Sequence, residues 1–338
     1  MGAENALPPG SKASETPEVS LVVPICDELP NLEPLLDATL VALQSITSSY
    51  ELILVDDGSR DGSDTELARL ASRDPSIIVL SHRRRFGKGA ALATGIAHAR
   101  GRMIATIDAD LQEDPAELPR LLDAIEGGLD LVSGLRENRR DSTFKILSSW
   151  LYNRLARFLG GPCLRDINCG FKVMRRELAR ELPLEAGRFR LVPLIAHWWG
   201  YRVGEVAVTH RPRAAGKSHF GGERFPGAIF DLFAVVFLFR YEERPGHPFL
   251  LVGVLSGLIG TGVCGELALE WFSKKTIAFQ YPQLAFGILL LLLGGQLIAT
   301  GILGEWLAWR TRSPRSHRLK SVRHGETVVD TGDAEAEQ

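Results

Sequence analysis

Cysteine is scarce in this sequence of 338 residues, and its four cysteines follow no recognisable spacing. Cys26, Cys163, Cys169 and Cys264 form no Cys-x-x-Cys pair and have no histidine cluster at zinc-site spacing. A structural zinc site and a disulfide-held scaffold are therefore not expected. We expect all four side chains to be reduced thiols in a cytoplasmic compartment.

A dominant charge of one sign is also absent. The 39 basic and 41 acidic residues leave a net charge of −2, so the composition gives no indication of a nucleic-acid partner. Residues 1–18 are polar, and they lack the basic start and the apolar core of a secretory signal peptide. We expect this segment to be disordered and the domain that follows it to remain in the cytoplasm.

Long hydrophobic runs are absent from residues 19–225 but dominate residues 249–309. Two stretches there, about 249–269 and 284–307, are apolar and long enough to cross a bilayer. Eight basic residues flank the pair and two lysines lie between them, so the positive-inside rule places both termini, including the tail 310–338, in the cytoplasm. Recurrent glycines in both stretches would let the two helices approach closely. A buried hairpin of a soluble protein is the alternative.

Two other segments have apolar residues beside cations and are too short to span a membrane. Residues 226–244 are mainly apolar with basic residues near both ends, a pattern that favours an interfacial amphipathic helix. Residues 142–159 place an apolar stripe beside basic residues at helical spacing. This second helix either packs on the domain or lies on a membrane surface.

Residues 19–225 alternate between short apolar runs and segments of helical spacing. The runs typical of strands are 19–25, 51–55, 77–80, 102–107 and 129–133. The helical segments are 31–46, with Asn31 as the N-cap, 63–72 and 88–99. This alternation predicts an α/β fold with a parallel sheet and helices on both of its faces. Ligands bind such sheets at the carboxyl ends of the strands.

Acidic clusters follow the second and the fourth predicted strands. Asp56 and Asp57 come after one strand, and Asp108 and Asp110, separated by one alanine, come after the other. An Asp-x-Asp triplet is a weak signal alone. At a strand end, however, two hard carboxylates can hold Mg²⁺ or Mn²⁺ against the diphosphate of a nucleotide sugar. Gln112 offers a neutral oxygen ligand two residues further on.

Three groups of basic residues lie in loops near the same edge. Arginine forks bind phosphate oxygens in pairs, and the glycine-containing turn at 86–90 could also offer backbone amides to a phosphate. This turn lacks the spacing of a P-loop, and a solvated basic loop is the alternative. The three groups are Arg83, Arg84, Arg85 and Lys88; Arg136, Arg139 and Arg140; and Arg211, Arg213 and Lys217.

Asp166 is one more candidate, in a segment that reads Asp-Ile-Asn-Cys-Gly-Phe. A carboxylate in such a loop commonly anchors the loop through hydrogen bonds. Alternatively, Asp166 orients an acceptor or positions an arginine.

Several segments resemble known enzymes. VPICDE at 23–28, VDDGS at 55–59, GKGAA at 87–91 and DADLQ at 108–112 resemble the family 2 glycosyltransferases, which have the GT-A fold and bind nucleotide sugars. More narrowly, the segments at 133–136, 166–171 and 211–218, with the C-terminal hairpin, resemble the polyprenyl-phosphate glycosyltransferases, which include dolichol-phosphate mannosyltransferases. The resemblance covers roughly residues 19–310.

The resemblance implies a role for each residue at a matching position. Those implied in nucleotide-sugar binding are Pro24, Glu28, Asp56, Asp57, Lys88 and Asp108. Those implied to hold Mg²⁺ or Mn²⁺ are Asp108, Asp110 and Gln112. Those implied in phosphate and acceptor binding are Arg136, Arg211, Arg213 and Ser218. The implied catalytic residues are Asp108, Asp110 and Asp166.

Three positions depart from the family pattern. Asp27 stands where asparagine is usual, which is a mild polar change, and Arg85 also replaces an asparagine. His219 stands where a basic residue is expected after Ser218. Histidine is mostly uncharged at neutral pH, so a phosphate contact at this position is in doubt.

The sequence as a whole predicts an inverting transferase that moves a hexose from a UDP- or GDP-hexose to a polyprenyl phosphate, undecaprenyl or dolichyl. It would act at the cytoplasmic face of the cell inner membrane as a multi-pass protein. The resemblance also implies that the chain can form a homo-oligomer. The alternatives are a transferase that acts on a lipid hydroxyl and a non-catalytic membrane subunit that handles lipids. A processive polysaccharide synthase is disfavoured, because the sequence contains no Gln-x-x-Arg-Trp motif.

Overall fold

The computed structural model describes residues 16–137, 154–158, 160–184, 187–211, 232–241, 244–274, 280–311, 321–324 and 327–330. The chain divides into two units, Met1–Leu232 and Phe233–Gln338. The first unit contains an α/β fold, and the second contains two long helices.

A mixed sheet of seven strands organises the first unit. Its strands are β1 (Val19–Ile25), β2 (Tyr50–Asp56), β3 (Ile77–Ser81), β4 (Met103–Thr106), β5 (Leu131–Glu137), β6 (Lys172–Arg175) and β7 (Val203–Thr209). They lie in the order β3-β2-β1-β4-β6-β5-β7. β6 is antiparallel to both of its neighbours, and the other pairs are parallel. The prediction of a mostly parallel α/β sheet is confirmed.

Helices cover both faces of this sheet, as predicted. They are α1 (Leu32–Ile46), α2 (Ser63–Ala71), α3 (Lys88–His98), α4 (Leu118–Glu126), α5 (Arg176–Glu181) and α6 (Val192–Trp198). Because side chains alternate along a strand, Leu21 and Val23 of β1 join the core that contains the apolar residues of α1 and α4. Val22 faces the opposite way, against α3, where a Cβ at Gly95 would lie 2.4 Å from Val22 Cγ1.

Most predicted boundaries agree with the structure, but three features differ. The strand predicted at 129–133 is β5, which begins later and extends to Glu137 because it pairs with β7 along its whole length. β6 has only four residues, too few for a recognisable pattern. Asn31 occupies the N-cap position of α1, but its side chain does not cap the helix and instead donates to Glu28 Oε2 at 2.6 Å.

The strand register brings several loops to one edge of the sheet. Ile25 of β1 pairs with Asp56 of β2, and Val22 pairs with Thr106 of β4. β6 is antiparallel, so it begins where β4 ends, with Lys172 opposite Thr106. The loop before β6 therefore meets the segments that follow β1, β2 and β4.

Two long helices, α7 (His247–Lys274) and α8 (Tyr281–Thr311), form most of the second unit. Each extends beyond the predicted span at both ends. Both are long and apolar enough to span a membrane, and only 11% and 17% of their most apolar stretches are buried. Core helices of a soluble protein are mostly buried, so this exposure favours membrane-spanning helices over a buried hairpin.

Parts of three sequence predictions lie outside the described residues. Of the predicted interfacial helix 226–244, the structure describes a helical segment that ends in the π-helix Val236–Arg240. Of the predicted helix 142–159, it describes 154–158, which is helical. Residues 1–15 of the predicted disordered segment are outside it. The predicted tail contains an antiparallel pair of strands, β8 (Ser321–His324) and β9 (Thr327–Asp330).

Glycines permit close contact between α7 and α8, as the sequence predicts. A Cβ at Gly253 would lie 2.9 Å from Gly294 O, and a Cβ at Gly294 would lie 2.8 Å from Gly253 O. Backbone oxygens at these distances cannot be displaced without moving a helix. Gly295, the next residue along α8, has open space where a side chain would extend.

We therefore predict that Gly294→Val separates the two helices and Gly295→Val does not. Overpacking of a tight contact costs about 1–3 kcal/mol, so Gly294→Val should lower the thermal unfolding temperature of the detergent-purified protein by several degrees. Gly295→Val carries the same change in helix propensity and is the matched control. An equal loss of thermal stability in both variants would contradict the observed contact.

Candidate active site

The carboxylate of Asp57 organises the loop between β3 and α3. It accepts hydrogen bonds from Phe86 N at 2.8 Å and Gly87 N at 2.7 Å, and His82 Nδ1 lies 2.9 Å from it. Asp57 is buried, and a buried carboxylate needs such donors. The sequence suggested that this turn offers its amides to a phosphate. For the amides of Phe86 and Gly87 that expectation is wrong, because both are committed to Asp57.

An open groove of about 390 Å³ borders this loop at the ends of β2 and β3. Asp56 lines it and accepts hydrogen bonds from Ser59 N at 3.0 Å and Ser59 Oγ at 2.6 Å. Gly58 has a φ of +70°, and a Cβ there would lie 2.6 Å from the carbonyl carbon of Arg84. The groove suits a polar, negatively charged ligand, because it is lined by Asp56, Gly58, Ser59, Arg60, Asp64, Ser81, His82, Arg83, Arg84 and Arg85.

The end of β1 is tied to the same turn. Asp27 N donates to Ser59 Oγ at 3.0 Å, and Asp27 Oδ1 accepts from Arg60 N at 2.8 Å. Asp27 has a φ of +56°, a conformation that both aspartate and asparagine tolerate, so the departure from asparagine is explained. Pro24 within β1 and Glu28 just after it therefore lie at the edge where the sequence predicts nucleotide binding.

Asp108 lies between lysines and a glycine. Lys88 Nζ forms an ion pair with Asp108 Oδ1, and Lys172, buried at the start of β6, adds a second positive charge. A Cβ at Gly170 would lie 2.6 Å from the carboxylate atoms, so only glycine fits there. Burial acts to raise the pKa of Asp108, but Lys88, Lys172 and Arg136 together hold that pKa below its usual value.

The chain turns sharply between Asp110 and Gln112. Leu111 has a φ of +58°, in the left-handed region. This conformation costs a residue other than glycine roughly 1–2 kcal/mol. Asp110 is buried, and its Oδ1 accepts a hydrogen bond from Gln112 N at 3.2 Å. Strain of this kind is typical of functional turns, where the surrounding structure maintains it.

The acidic triplet and Gln112 fit a divalent cation that binds with a phosphate ligand. Asp108 and Asp110 offer carboxylate oxygens and Gln112 an amide oxygen, the hard ligands that suit Mg²⁺ and Mn²⁺. Among the described residues, no group of three or more His, Cys, Asp or Glu side chains is arranged to hold a metal ion by itself. Mg²⁺ does not need one, because one or two carboxylates and the phosphates of a substrate commonly complete its coordination.

Glu113 is a buried carboxyl group that the sequence did not single out. Its Oε1 accepts a weak hydrogen bond from the Cys169 thiol at 3.8 Å, and its Oε2 has no hydrogen-bond partner among the described residues. Burial, and then the charges of Asp108 and Asp110, raise the pKa of Glu113 to about 8. In the sequence it resembles a surface acid, and no pattern there distinguishes it from one.

Arg136 and Asp166 form a buried bidentate ion pair. Arg136 Nε and Nη2 donate to the two carboxylate oxygens of Asp166 at 2.6 and 3.0 Å. The two side chains are 15% and 3% exposed. Asn168 N also donates to Asp166 Oδ1 at 3.2 Å. Of the roles considered for Asp166, its contacts match the positioning of an arginine and the anchoring of a loop.

The end of β7 is joined to the segment after the acidic triplet. Arg211 N donates to Gln112 O at 2.8 Å, and the Arg211 guanidinium pairs with Asp114. Glu113 and His210 form a β-bridge beside these contacts. Arg211 therefore lies close to the candidate cation site. The other predicted phosphate contacts lie outside the described residues: Arg139, Arg140, Arg213, Lys217 and Ser218.

Comparisons with known proteins agree with this architecture. Residues 20–183 match the family described as Glycosyl transferase family 2. The chain is 37% identical over 300 residues to the dodecaprenyl-phosphate galacturonate synthase of Rhizobium johnstonii, which covers 86% of this chain and 88% of that protein. It is 31% identical over 294 residues to the undecaprenyl-phosphate 4-deoxy-4-formamido-L-arabinose transferase of Yersinia pestis, with the same coverage of 86% and 88%.

Solved structures share the fold. Glucosyl-3-phosphoglycerate synthase from Mycobacterium tuberculosis, in complex with phosphoglyceric acid, matches with a TM-score of 0.52 and 24% identity. The match covers 64% of this chain and 79% of that one. The same enzyme with Mn²⁺, uridine diphosphate and phosphoglyceric acid also gives a TM-score of 0.52, over 65% of this chain and 78% of that one. This likeness concerns the fold, since the sequences are 24% identical.

We predict that Asp166→Asn destabilises the folded protein strongly. The change leaves the buried Arg136 guanidinium without its ion-pair partner, and breaking a buried pair in this way typically costs about 3–5 kcal/mol. Thermal and chemical unfolding of the purified variant measure this loss. Glu33→Gln, which removes an exposed carboxylate paired with Arg69 and Arg73, is the control and should change little. Equal stability of the two variants would exclude a structural role for the Arg136–Asp166 pair.

We also predict that Glu113→Gln stabilises the cation-free protein more at pH 8 than at pH 5. The pKa of Glu113 rises from 4.5 to about 8 on folding, so the folded wild type loses stability as the pH rises through this range. Glutamine cannot ionise and removes that loss. The measurement is the unfolding temperature of both proteins in EDTA at each pH. A difference between variant and wild type that becomes smaller as the pH rises would refute the prediction.

Glu117→Gln is the control for this pH series. Burial acts to raise the pKa of Glu117, but hydrogen bonds from Arg120 and Thr209 hold that pKa below its usual value. Glu117 is therefore ionised in both folded and unfolded chains from pH 5 to 8. The stability difference between this variant and the wild type should stay constant over the range.

Proposed function

The chain belongs to glycosyl transferase family 2, and we propose that it transfers a hexose from a nucleotide sugar to a polyprenyl phosphate with inversion at the anomeric carbon. One observation carries this proposal. The names of two relatives join a polyprenyl phosphate to a sugar, one as a synthase and one as a transferase, and each match covers 86% of the chain. The three-dimensional likeness to a solved glucosyl-3-phosphoglycerate synthase agrees with the fold of this family.

The donor binds along the edge formed by β1, β2 and β4. The nucleoside occupies the polar groove beside Asp56, and the cationic side chains of Arg83, Arg84 and Arg85 attract the negatively charged nucleotide. The diphosphate lies towards Asp108. A UDP complex of a solved relative in fold supports this choice of donor class, and GDP is the alternative.

Asp108, Asp110 and Gln112 hold Mg²⁺ or Mn²⁺ at this edge. The bound cation neutralises charge on the departing nucleoside diphosphate. Both cations occur with uridine diphosphate in structures of the glucosyl-3-phosphoglycerate synthase that shares this fold. Gly170 leaves room for the Asp108 carboxylate at this edge, because a Cβ there would lie 2.6 Å from its atoms.

The acceptor phosphate is bound by arginines from β5 and from the end of β7. Arg136, fixed by Asp166, and Arg211, beside Gln112, supply guanidinium groups, and Arg213 and Ser218 extend the set. An oxygen of the lipid phosphate forms a bond to the anomeric carbon as the bond to the diphosphate breaks. That phosphate is already ionised at pH 7, so no strong general base is needed.

The two helices α7 and α8 anchor the enzyme in the inner membrane, where a polyprenyl phosphate resides. Their flanking basic residues favour a multi-pass topology with both termini in the cytoplasm. Nucleotide sugars are made in the cytoplasm, so this orientation gives the active site access to both substrates. We also propose that several copies of the chain associate, as the resemblance to polyprenyl-phosphate glycosyltransferases implies.

We predict that Asp110→Asn abolishes sugar transfer to polyprenyl phosphate without unfolding the protein. The amide removes one of the two carboxylates proposed to hold the cation, and loss of such a charge costs catalysis rather than stability. Transfer is measured with a panel of UDP- and GDP-sugars and a short polyprenyl phosphate, with the lipid product identified by mass. EDTA should abolish transfer by the wild type, and added Mg²⁺ or Mn²⁺ should restore it.

Asp123→Asn is the matched control, because Asp123 is an exposed carboxylate on α4. It should retain wild-type transfer and stability. Full activity of Asp110→Asn, or of the wild type in EDTA, would exclude the proposed cation role. Transfer to a lipid alcohol in preference to a lipid phosphate would exclude the proposed acceptor.

A further inference from the structure

Lys88 pairs with one oxygen of the carboxylate that is proposed to hold the cation. Its ammonium group pairs with Asp108 Oδ1, and the two side chains are 24% and 29% exposed. Lys88 is the first residue of α3, and the turn before it is fixed by the hydrogen bonds of Phe86 and Gly87 to Asp57. The backbone of Lys88 is therefore held in place, and only its flexible four-carbon side chain can move.

The Asp108 carboxylate lies so close to Gly170 that a Cβ there would be 2.6 Å from its carbon and from both of its oxygens. The missing side chain of Gly170 leaves this carboxylate its place beside Lys88. Lys172 is buried, and its ammonium group donates to Cys169 O. A divalent cation that approaches Asp108 meets the positive charge of Lys88 at Oδ1, and Lys88 is the more exposed of the two lysines.

Lys88 has a second environment within reach. Its ammonium group lies 5.2 Å from the centre of the Phe189 ring, a cation–π distance. It also lines a narrow cavity of about 20 Å³ with Asn168, whose buried Oδ1 has no hydrogen-bond partner among the described residues, and with Arg190. The ammonium group can leave Asp108 without losing every favourable contact.

We propose that Lys88 is an exchangeable counter-ion of Asp108, which neutralises this carboxylate in the donor-free enzyme and moves to the diphosphate when the cation and nucleotide bind. The proposal rests on the nucleotide-sugar function above. It makes cation binding and nucleotide binding mutually dependent, because each ligand removes an obstacle to the other. Such coupling is reciprocal by thermodynamic necessity.

The test measures Mn²⁺ binding directly, by electron paramagnetic resonance of free Mn²⁺, on the full-length protein in detergent. Lys88→Met removes the ammonium group and keeps a side chain of similar length. Mn²⁺ alone should bind this variant about two- to fivefold more tightly than the wild type, the range for loss of a partly exposed ion pair. UDP, with GDP as the second nucleotide, should tighten Mn²⁺ binding in the wild type and much less in the variant.

Two further variants separate the exchange from a general charge effect. Lys88→Arg keeps the positive charge and should keep the weak binding of Mn²⁺ alone. Arg120→Met removes one positive charge from the exposed face of α4, where Arg120 pairs with Glu117, and should behave as the wild type. Unfolding temperatures confirm that each variant is folded.

Two outcomes would overturn the proposal, and they differ in what else they exclude. If Lys88→Met binds Mn²⁺ alone no more tightly than the wild type, while the wild type still shows nucleotide-dependent binding, only the exchange is refuted. If no protein binds Mn²⁺ with either nucleotide, the exchange and the proposed cation role are both refuted.

Discussion

The antiparallel direction of β6 is the constraint on which the rest of the site depends. A parallel strand at this place in the sheet would begin at the opposite edge and carry its preceding loop away from Asp108. Because β6 begins opposite the end of β4, its first residue, Lys172, lies beside Thr106. The loop before it then places Gly170 against Asp108 and Asp166 against Arg136. One reversed strand of four residues thus assembles two functional contacts.

The buried charges of the site are arranged to fix positions rather than to add stability. A buried ion pair often contributes little net free energy, because desolvation of both groups offsets their attraction. Asp57 accepts hydrogen bonds from the loop between β3 and α3 and fixes the conformation of that loop. Asp166 accepts hydrogen bonds from Arg136 and orients its guanidinium group. Glu113 is the exception, with one buried oxygen that accepts no hydrogen bond from the described residues. Burial, and then the charges of Asp108 and Asp110, raise the pKa of its carboxyl group.

The sequence predicts the edge of the sheet well, because a single rule places Asp56 and Asp108 there: parallel strands end on the same side. It does not reveal the partners that reach this edge from distant segments. From the sequence, the amides of Phe86 and Gly87 are predicted to bind a phosphate. In the structure they donate to Asp57, which lies about thirty residues earlier in the chain. The sequence does not predict Glu113 and Lys172 as site residues for a similar reason. Lys172 begins a strand of four residues and Glu113 lies in an isolated β-bridge, and neither produces a periodic pattern in a single sequence.

The state of the carboxylates favours a phosphate over a hydroxyl as the acceptor. A hydroxyl acceptor needs a free base, whereas an ionised phosphate needs only positive groups to hold it. Asp57, Asp108 and Asp166 are each engaged by donors or cations within the protein. Glu113 is protonated below about pH 8 and is buried. This edge of the sheet carries several arginines, among them Arg136 and Arg211. Arginines suit the binding of a lipid phosphate beside a bound nucleotide sugar.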